Sequence, residues 1–275
     1  MLNKRIYLIT LLALSLMLVL GYGCAAPTGQ ELQLKTATEQ IQTAAQTELN
    51  KLDLDLSAAA AALSRTGLSG TEARQILNGL AAKYPFIIDT CTADTAGKMV
   101  TVAPDAYSSY EGTDISQQAV TIKFNETKNP LLSQMFTAVE GMDAVVIMRP
   151  ILSEKGDFIG SLSALFKPET LFATICEPTL RGTGIALNVI QLDGLAIYDS
   201  DYVDTGMNLF TDPAFQPYTD LIALGHRMVA EQSGYGSYTF IYHPTGQTMK
   251  KMAYWATVGL HGTEWRLISI QEAAK

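Results

Sequence analysis

The sequence predicts an α+β protein: one long N-terminal helix, then two tandem antiparallel five-stranded sheets with flanking helices. Three observations carry this prediction. Residues 30–64 hold an apolar face at helical spacing. From Pro85 onward, short apolar runs are separated by glycine-bearing turns that read as β-hairpins. The grammar of residues 84–180 then recurs in 181–272.

The elements follow in order. Leu34, Ala37, Ile41, Ala44, Leu52, Leu56, Ala59 and Leu63 recur at spacings near 3 and 4 or their multiples, with Gln, Thr, Glu and Lys between them. About 35 helical residues reach ~50 Å, more than one small domain, so the helix is expected to run past one copy to reach the other. Gly67 and Gly70 break it. Ser69 with Glu72 reads as a capping box opening a second helix to Lys83, with Ala73, Ile76, Leu77 and Leu80 on one face. Strands at 86–93 and 98–102 flank Asp94-Thr95-Ala96-Gly97, and 104–133 is mixed and turn-rich. Strands at 144–152 and 158–166 flank Ser153-Glu154-Lys155-Gly156-Asp157, and Pro168-Glu169 opens a helix over 169–177.

In the second half, strands at 185–192 and 195–198 flank Asp193-Gly194, and a helix lies within 213–232. Three strands close the chain, at 237–243, 248–258 and 264–270, with turns at Pro244-Thr245-Gly246 and His261-Gly262. The copies agree in detail. Gly112-Thr113-Asp114-Ile115 and Gly206-Met207-Asn208-Leu209 share Gly-x-[Asp/Asn]-aliphatic at an offset of 94, and Gly97 and Gly194 stand 97 apart.

Composition removes several function classes. The 275 residues are 48% apolar and 17% charged, enough for a sizeable core and unlike a disordered chain. Nineteen Lys plus Arg against 27 Asp plus Glu give a net charge of −8, which argues against a nucleic-acid partner needing a cationic face. Three histidines and three scattered cysteines offer little for a zinc site. Nucleophile-elbow, zincin, phosphate-loop and dinucleotide motifs are all missing from the sequence, so neither an enzyme nor a cofactor is expected.

The first 23 residues read as an export signal. Lys4 and Arg5 precede the apolar run Ile6 to Leu20, and Gly21-Tyr22-Gly23-Cys24 leads into small and polar residues. Cys24 sits where a lipoprotein signal carries its lipidated cysteine, although Gly21 replaces the usual aliphatic residue. Lipidation at Cys24 is the leading expectation, with an uncleaved anchor and plain cleavage as the alternatives. Cleavage removes Lys4 and Arg5 and no acid, leaving 17 bases and 27 acids. The remaining cysteines, Cys91 and Cys176, have apolar neighbours suited to buried thiols in a compartment that permits a disulfide. Asn125-Glu126-Thr127 is a glycosylation triplet that also arises by chance.

The order and duplication of these features resemble the double Cache family of extracytoplasmic sensors, built from tandem PAS-like sheets. In copy one the resembling residues are Gly112-Thr113-Asp114-Ile115-Ser116, Pro150-Ile151 and Phe158-Ile159-Gly160-Ser161-Leu162. In copy two they are Asp193-Gly194, Tyr198-Asp199-x-Asp201, Gly206-x-Asn208 and Trp265-Arg266-Leu267. The resemblance spans roughly residues 30–272. It implies a non-enzymatic, extracytoplasmic small-molecule sensor in four parts. These are a signal (1–23), a linker with long helices (24–83), a membrane-distal ligand-binding subdomain (84–180) and a membrane-proximal one (181–272). The chain ends at Lys275, soon after the second copy, so it resembles stand-alone, lipid-anchored members. Such a member would present its ligand state to a membrane partner, a receptor or histidine kinase. A solute-binding role for a transporter and a ligand-free protein-interaction role are the alternatives. The resemblance also implies an Arg and an aromatic after the Gly-x-Asp motif, and an Asp in the last strand, wherever an α-amino acid is bound. Gln118, Val120 and Leu165 stand there instead, so that ligand is not expected.

Within copy one, Tyr107 and Tyr110 offer rings and hydroxyls, and Gln118, Ser133, Arg149 and Ser163 offer polar contacts, as a buried ligand site needs. Arg149 interrupts an apolar strand. It either points inward to a ligand or buried acid, or alternates onto the wet face. Asp114 reads as a helix cap. Asp199, Asp201 and Asp204 lack the spacing of a calcium loop and read as an acid-rich turn. His226, His243 and His261 read as solvated, and Tyr235, Tyr238, Tyr242, Tyr254, Trp255 and Trp265 as core aromatics, with a sugar- or partner-binding face as the alternative.

Overall fold

The structure is a computed structural model that describes residues 28–242 and 246–273. The export segment with Cys24, and His243, Pro244 and Thr245 of the turn before the last strand but one, lie outside the described residues. Helix α1 (Gly29–Thr66) opens at Thr28, whose hydroxyl accepts the Glu31 N–H at 3.1 Å. Leu34, Ile41, Leu49, Leu52, Leu56 and Leu63 are buried along it, and Gly67, at φ 85°, ends it by returning its N–H to Leu63. Helix α2 (Gly70–Lys83) begins after Ser69, but that side chain makes no capping hydrogen bond, so the expected capping box does not form.

The first module comprises β1 (Ile87–Ala93), β2 (Met99–Ala103), a 3₁₀ turn (Asp105–Tyr110), α3 (Ala119–Thr127), β3 (Leu131–Leu132), β4 (Phe136–Thr137), β5 (Asp143–Leu152) and β6 (Phe158–Phe166). Its strand order is β2-β1-β6-β5-β3, with β4 pairing β5 as a sixth strand. Five strands were expected; the extra short one comes from the turn-rich region before β5. Helix α4 (Pro168–Leu180) leads to the second module: β7 (Ala186–Gln191), β8 (Ala196–Asp199), α5 (Thr219–Ala230), β9 (Ser233–Tyr242), β10 (Gln247–Leu260) and β11 (Thr263–Glu272). Its order, β8-β7-β11-β10-β9, repeats the first, so the tandem PAS-like architecture holds.

The duplicated motifs do the same work in each module. Lys98 bridges Asp114, and Leu195 bridges Asn208. Asp114 Oδ1 accepts the Ser116 N–H, and Asn208 Oδ1 accepts those of Phe210 and Thr211. Asp114 thus closes a turn before α3 and does not cap a helix, which corrects the sequence reading. Gly97 and Gly194, at φ 83° and 92°, pack against Ser116 and Phe210 of the following segment.

Helix α1 crosses the backs of both sheets. Leu52, Leu56 and Leu63 share a core with Ile147, Ile151 and Leu162 of the first module and Val258 and Leu267 of the second. Leu34 and Ala37 lie against Ile185 of the second module, with Tyr235 and Met252 packed around them. Phe172 of α4 meets the rings of Tyr198 and Trp265 and seals the junction. Each fully buried leucine on α1 contributes roughly 1.5–3 kcal/mol, so packing rather than propensity holds this helix. Cys91 and Cys176 are both buried and free. Trp255 and Trp265 are core residues, as expected, and Tyr238 is 6% exposed.

Candidate functional site

The outer face of the first sheet forms the floor of a cavity of ≈ 40 Å³. Register builds that floor in two rungs. Asp89, Leu165 and Val146 lie side by side on β1, β6 and β5, and Cys91, Ser163 and Met148 form the next rung. A bulge between Ile87 and Asp89 sets this alignment. The roof comes from Ile115, Gln118, Val120 and Thr121 at the start of α3, and from Phe136 to Glu140 before β5.

The central polar feature is an acid pair. Asp89 is 2% exposed, and no N–H or hydroxyl of the described residues donates to its Oδ2. Its carboxyl engages that of Glu140. Burial first, then the neighbouring Glu140 charge, pushes Asp89 up to about 8, while burial also raises Glu140. The two therefore share a proton near neutral pH. Among the described residues lining the cavity there is no lysine or arginine to neutralise them. Burial likewise raises the Cys91 thiol, leaving it an inert wall.

Of the residues expected here, Gln118 and Ser163 line the cavity. Tyr107 and Tyr110, their rings stacked at 6.4 Å, pack behind it against Cys91, Met99 and Val102. Arg74 of α2 ties that segment down: it donates to Val102 O and to Glu111 Oε1, and Glu111 also accepts the Val102 N–H. Ser133 braces the β5 edge, exchanging hydrogen bonds of 2.9 Å with Val146.

Arg149 lies on the other face. Val146 and Met148 face the cavity, so alternation turns Val145, Ile147 and Arg149 toward α1. There Arg149 donates from Nε to Asp53 Oδ1 at 2.9 Å and from Nη2 to Asp53 Oδ2 at 2.6 Å. Neither the ligand pocket nor open water is its environment, because a helix covers that face. His261, expected to be solvated, sits with Nε2 2.8 Å from Asp53 Oδ1. Burial opposes ionisation of Asp53, but the Arg149 and His261 hydrogen bonds outweigh it and hold the carboxyl below its usual value.

Asp89 and Glu140 are the functional candidates missed in the sequence. The resemblance places an acid on the last strand, at Leu165, and the absence of that acid and of the Arg argues against an α-amino-acid ligand. Asp89 stands directly opposite Leu165 on the neighbouring strand. In the second module, Asp199 spends both oxygens on the N–H groups of Asp201, Val203 and Asp204, which is the acid-rich turn expected there.

Comparison with known proteins agrees with the fold. Residues 47–168 match the family described as HK/GC/Chemotaxis protein-like, sensor domain. The extracellular ligand binding receptor from Desulfohalobium retbaense DSM5692 is 32% identical with a TM-score of 0.75, over 88% of this chain and 40% of that one. The chain thus spans 40% of that receptor's length. Two further structures share the fold. The ligand-binding domain of the Pseudomonas aeruginosa PAO1 chemoreceptor PctB, in complex with L-Arg, is 17% identical with a TM-score of 0.64, covering 88% of this chain and 95% of its own. The periplasmic sensory domain of the Campylobacter jejuni chemoreceptor Tlp1 is 11% identical with a TM-score of 0.61, covering 86% and 93%. No curated protein matches the chain. Among the described residues no helix is long and apolar enough to cross a membrane. Residues 47–168 match the HK/GC/chemotaxis protein-like sensor domain family, and the described chain shares its tandem-sheet fold with the extracellular ligand-binding domains named above.

Proposed function

We propose that this protein is a lipid-anchored extracytoplasmic sensor that binds a compact organic cation in the first module and presents its ligand state to a membrane partner, a receptor or histidine kinase. The observation that carries the ligand class is buried Asp89 facing half-buried Glu140 with no basic residue lining their cavity. A protonated amine placed between these carboxyls lets both ionise and supplies donors to Asp89 Oδ2. Gln118 and Ser163 would orient it, and Tyr107, Tyr110 and Ser133 would hold the surrounding wall. The volume, ≈ 40 Å³, suits a ligand of few heavy atoms unless the segments over the sheet move.

Lipidation at Cys24 would tether the N-terminus. The start of α1 packs on the second module and its end on the first, which favours the first module as the membrane-distal one. The mechanism would be a population shift, in which ligand favours one sheet–helix arrangement and α1 carries the difference.

A thermal-shift screen of residues 25–275 against short amines, amino acids, carboxylates and sugars tests the reading. A saturable rise with a short amine, about 2.7 kcal/mol of stabilisation at a hundredfold excess over Kd, that is lost in Asp89→Asn supports it. No shift across the amines rejects it. The small cavity favours, as second reading, a ligand-free protein-interaction module, which predicts that outcome together with capture of a membrane partner.

A further inference from the structure

We propose that the second module carries a ligand site of its own, an open cavity gated by Asp204 and Tyr238 that takes an alkylammonium ion with its apolar tail in the chamber behind. This goes beyond the site in the first module and does not depend on it.

The cavity measures ≈ 370 Å³, within the range of ordinary small-molecule sites and far larger than the one in the first module. It lies between the sheet and the elements over it, with Phe215 and Leu221 above and Lys251 and Ile270 below. An inner chamber of ≈ 60 Å³ adjoins it, walled by Ile190, Met207, Leu209, Met228 and Ile268. Asp204 and Tyr238 line both spaces, so they stand where a ligand's head and tail would divide.

Tyr238 is the decisive residue. It is 6% exposed, lies directly opposite Lys251 in the β9–β10 register and lines the cavity, and none of the described residues hydrogen-bonds its hydroxyl. That hydroxyl opens into the cavity, where a ligand group can take the place of water against it. An ammonium group would satisfy it.

Charge selects the cation. Asp199, Asp201 and Asp204 face one lysine, Lys251. The oxygens of Asp199 are committed to loop amides, while Asp204 keeps a carboxyl beside Asn188 with burial and the Asp199 charge both opposing its ionisation. A ligand cation removes that opposition. The ring faces accept cations too, since Lys251 Nζ already lies 4.8 Å from the Phe240 centroid.

The test is calorimetric titration of the full chain with 3-methylbutylammonium, against 3-methylbutan-1-ol and 3-methylbutanoate as isosteres. We expect saturable binding that persists in Asp89→Asn, falls about tenfold or more in Asp204→Asn, and falls about threefold to tenfold in Tyr238→Phe. The alcohol and the carboxylate should bind at least about tenfold more weakly. Tyr238→Phe removes only a hydroxyl from the core, so the proposal stays testable if Asp204→Asn misfolds. Loss of binding in Asp89→Asn with Tyr238→Phe unaffected would assign the ligand to the first module and overturn the proposal. Equal affinity for the alcohol would reduce the site to an apolar hole and overturn it as well.

Discussion

His261 Nε2 lies 2.8 Å from Asp53 Oδ1, a hydrogen bond that joins the β10–β11 turn of the second module to the helix backing the first. Arg149 grips the same carboxylate from β5. One side chain on α1 therefore touches both modules at once. A change in either sheet–helix arrangement must move or break this junction.

Asp53→Ala should cost about 3 kcal/mol in urea unfolding, because it leaves Arg149, with 18% of its side chain exposed, beside a helix with no counter-charge. The pH dependence has a definite sign. Asp53 titrates below its ordinary value of 3.8 in the folded chain. Its contribution is present above that value and disappears as pH falls through the lowered one. The stability difference between wild type and Asp53→Ala should shrink below about pH 4. A constant difference from pH 7 to pH 3 would show that the carboxylate is not the group responsible.

Asp89 predicts the reverse. Its carboxyl is raised from 3.8 to about 8, so the fold favours the neutral form. That favourable state is full below the unfolded value and is lost as pH rises toward 8. Asp89→Asn keeps the shape and removes the charge, so the unliganded variant should melt higher than wild type at pH 8 and equal to it near pH 4. The same variant should no longer respond to short amines. A gain in stability with a loss of binding is the signature of a functional acid; a loss of both would make Asp89 structural.

The two acids also show what sequence could and could not carry. The tandem architecture was legible because hairpin glycines, apolar periodicity and the Gly-x-[Asp/Asn] repeat are local signals. Gly97 and Gly194 announce their turns from the chain alone. The site was not legible in the same way. Asp89 joins the cavity through a bulge and through its register with Leu165, and neither is written in neighbouring residues. Arg149 was marked as anomalous in an apolar strand, but its partner lies 96 residues earlier in sequence. Gln118 and Ser163 line the cavity, and they sit at defined offsets from legible turns.

Arg149 yields the sharpest discrimination between faces of one sheet. Arg149→Met should lower stability through the exposed demand of Asp53 and leave the amine response of the first cavity intact. Ser163→Leu should do the opposite: it fills a cavity of ≈ 40 Å³ and should abolish the response while costing little in the fold. Thermal melts with and without ligand on both variants separate these outcomes. Loss of the amine response in Arg149→Met at full stability would place the ligand on the helix side of β5.

Two glycines of the second module with positive φ offer an internal control. Gly194 and Gly206 have φ of 92° and 85°, so alanine meets similar backbone strain at each. A Cβ on Gly194 would lie 2.4 Å from Phe210 Cδ2, whereas one on Gly206 meets nothing within 4 Å. Gly206→Ala should therefore cost about 1 kcal/mol from conformation alone. Gly194→Ala should cost a further 1–3 kcal/mol, roughly, from displacing Phe210, which packs on the core beside Leu209 and Leu224. Because the displaced ring belongs to the segment over the second cavity, Gly194→Ala should also weaken alkylammonium binding there while Gly206→Ala does not. Chemical denaturation and calorimetry on the pair measure both differences. Equal costs would mean that Phe210 yields freely and that the segment following Asn208 is not held by its contact with the β7–β8 turn.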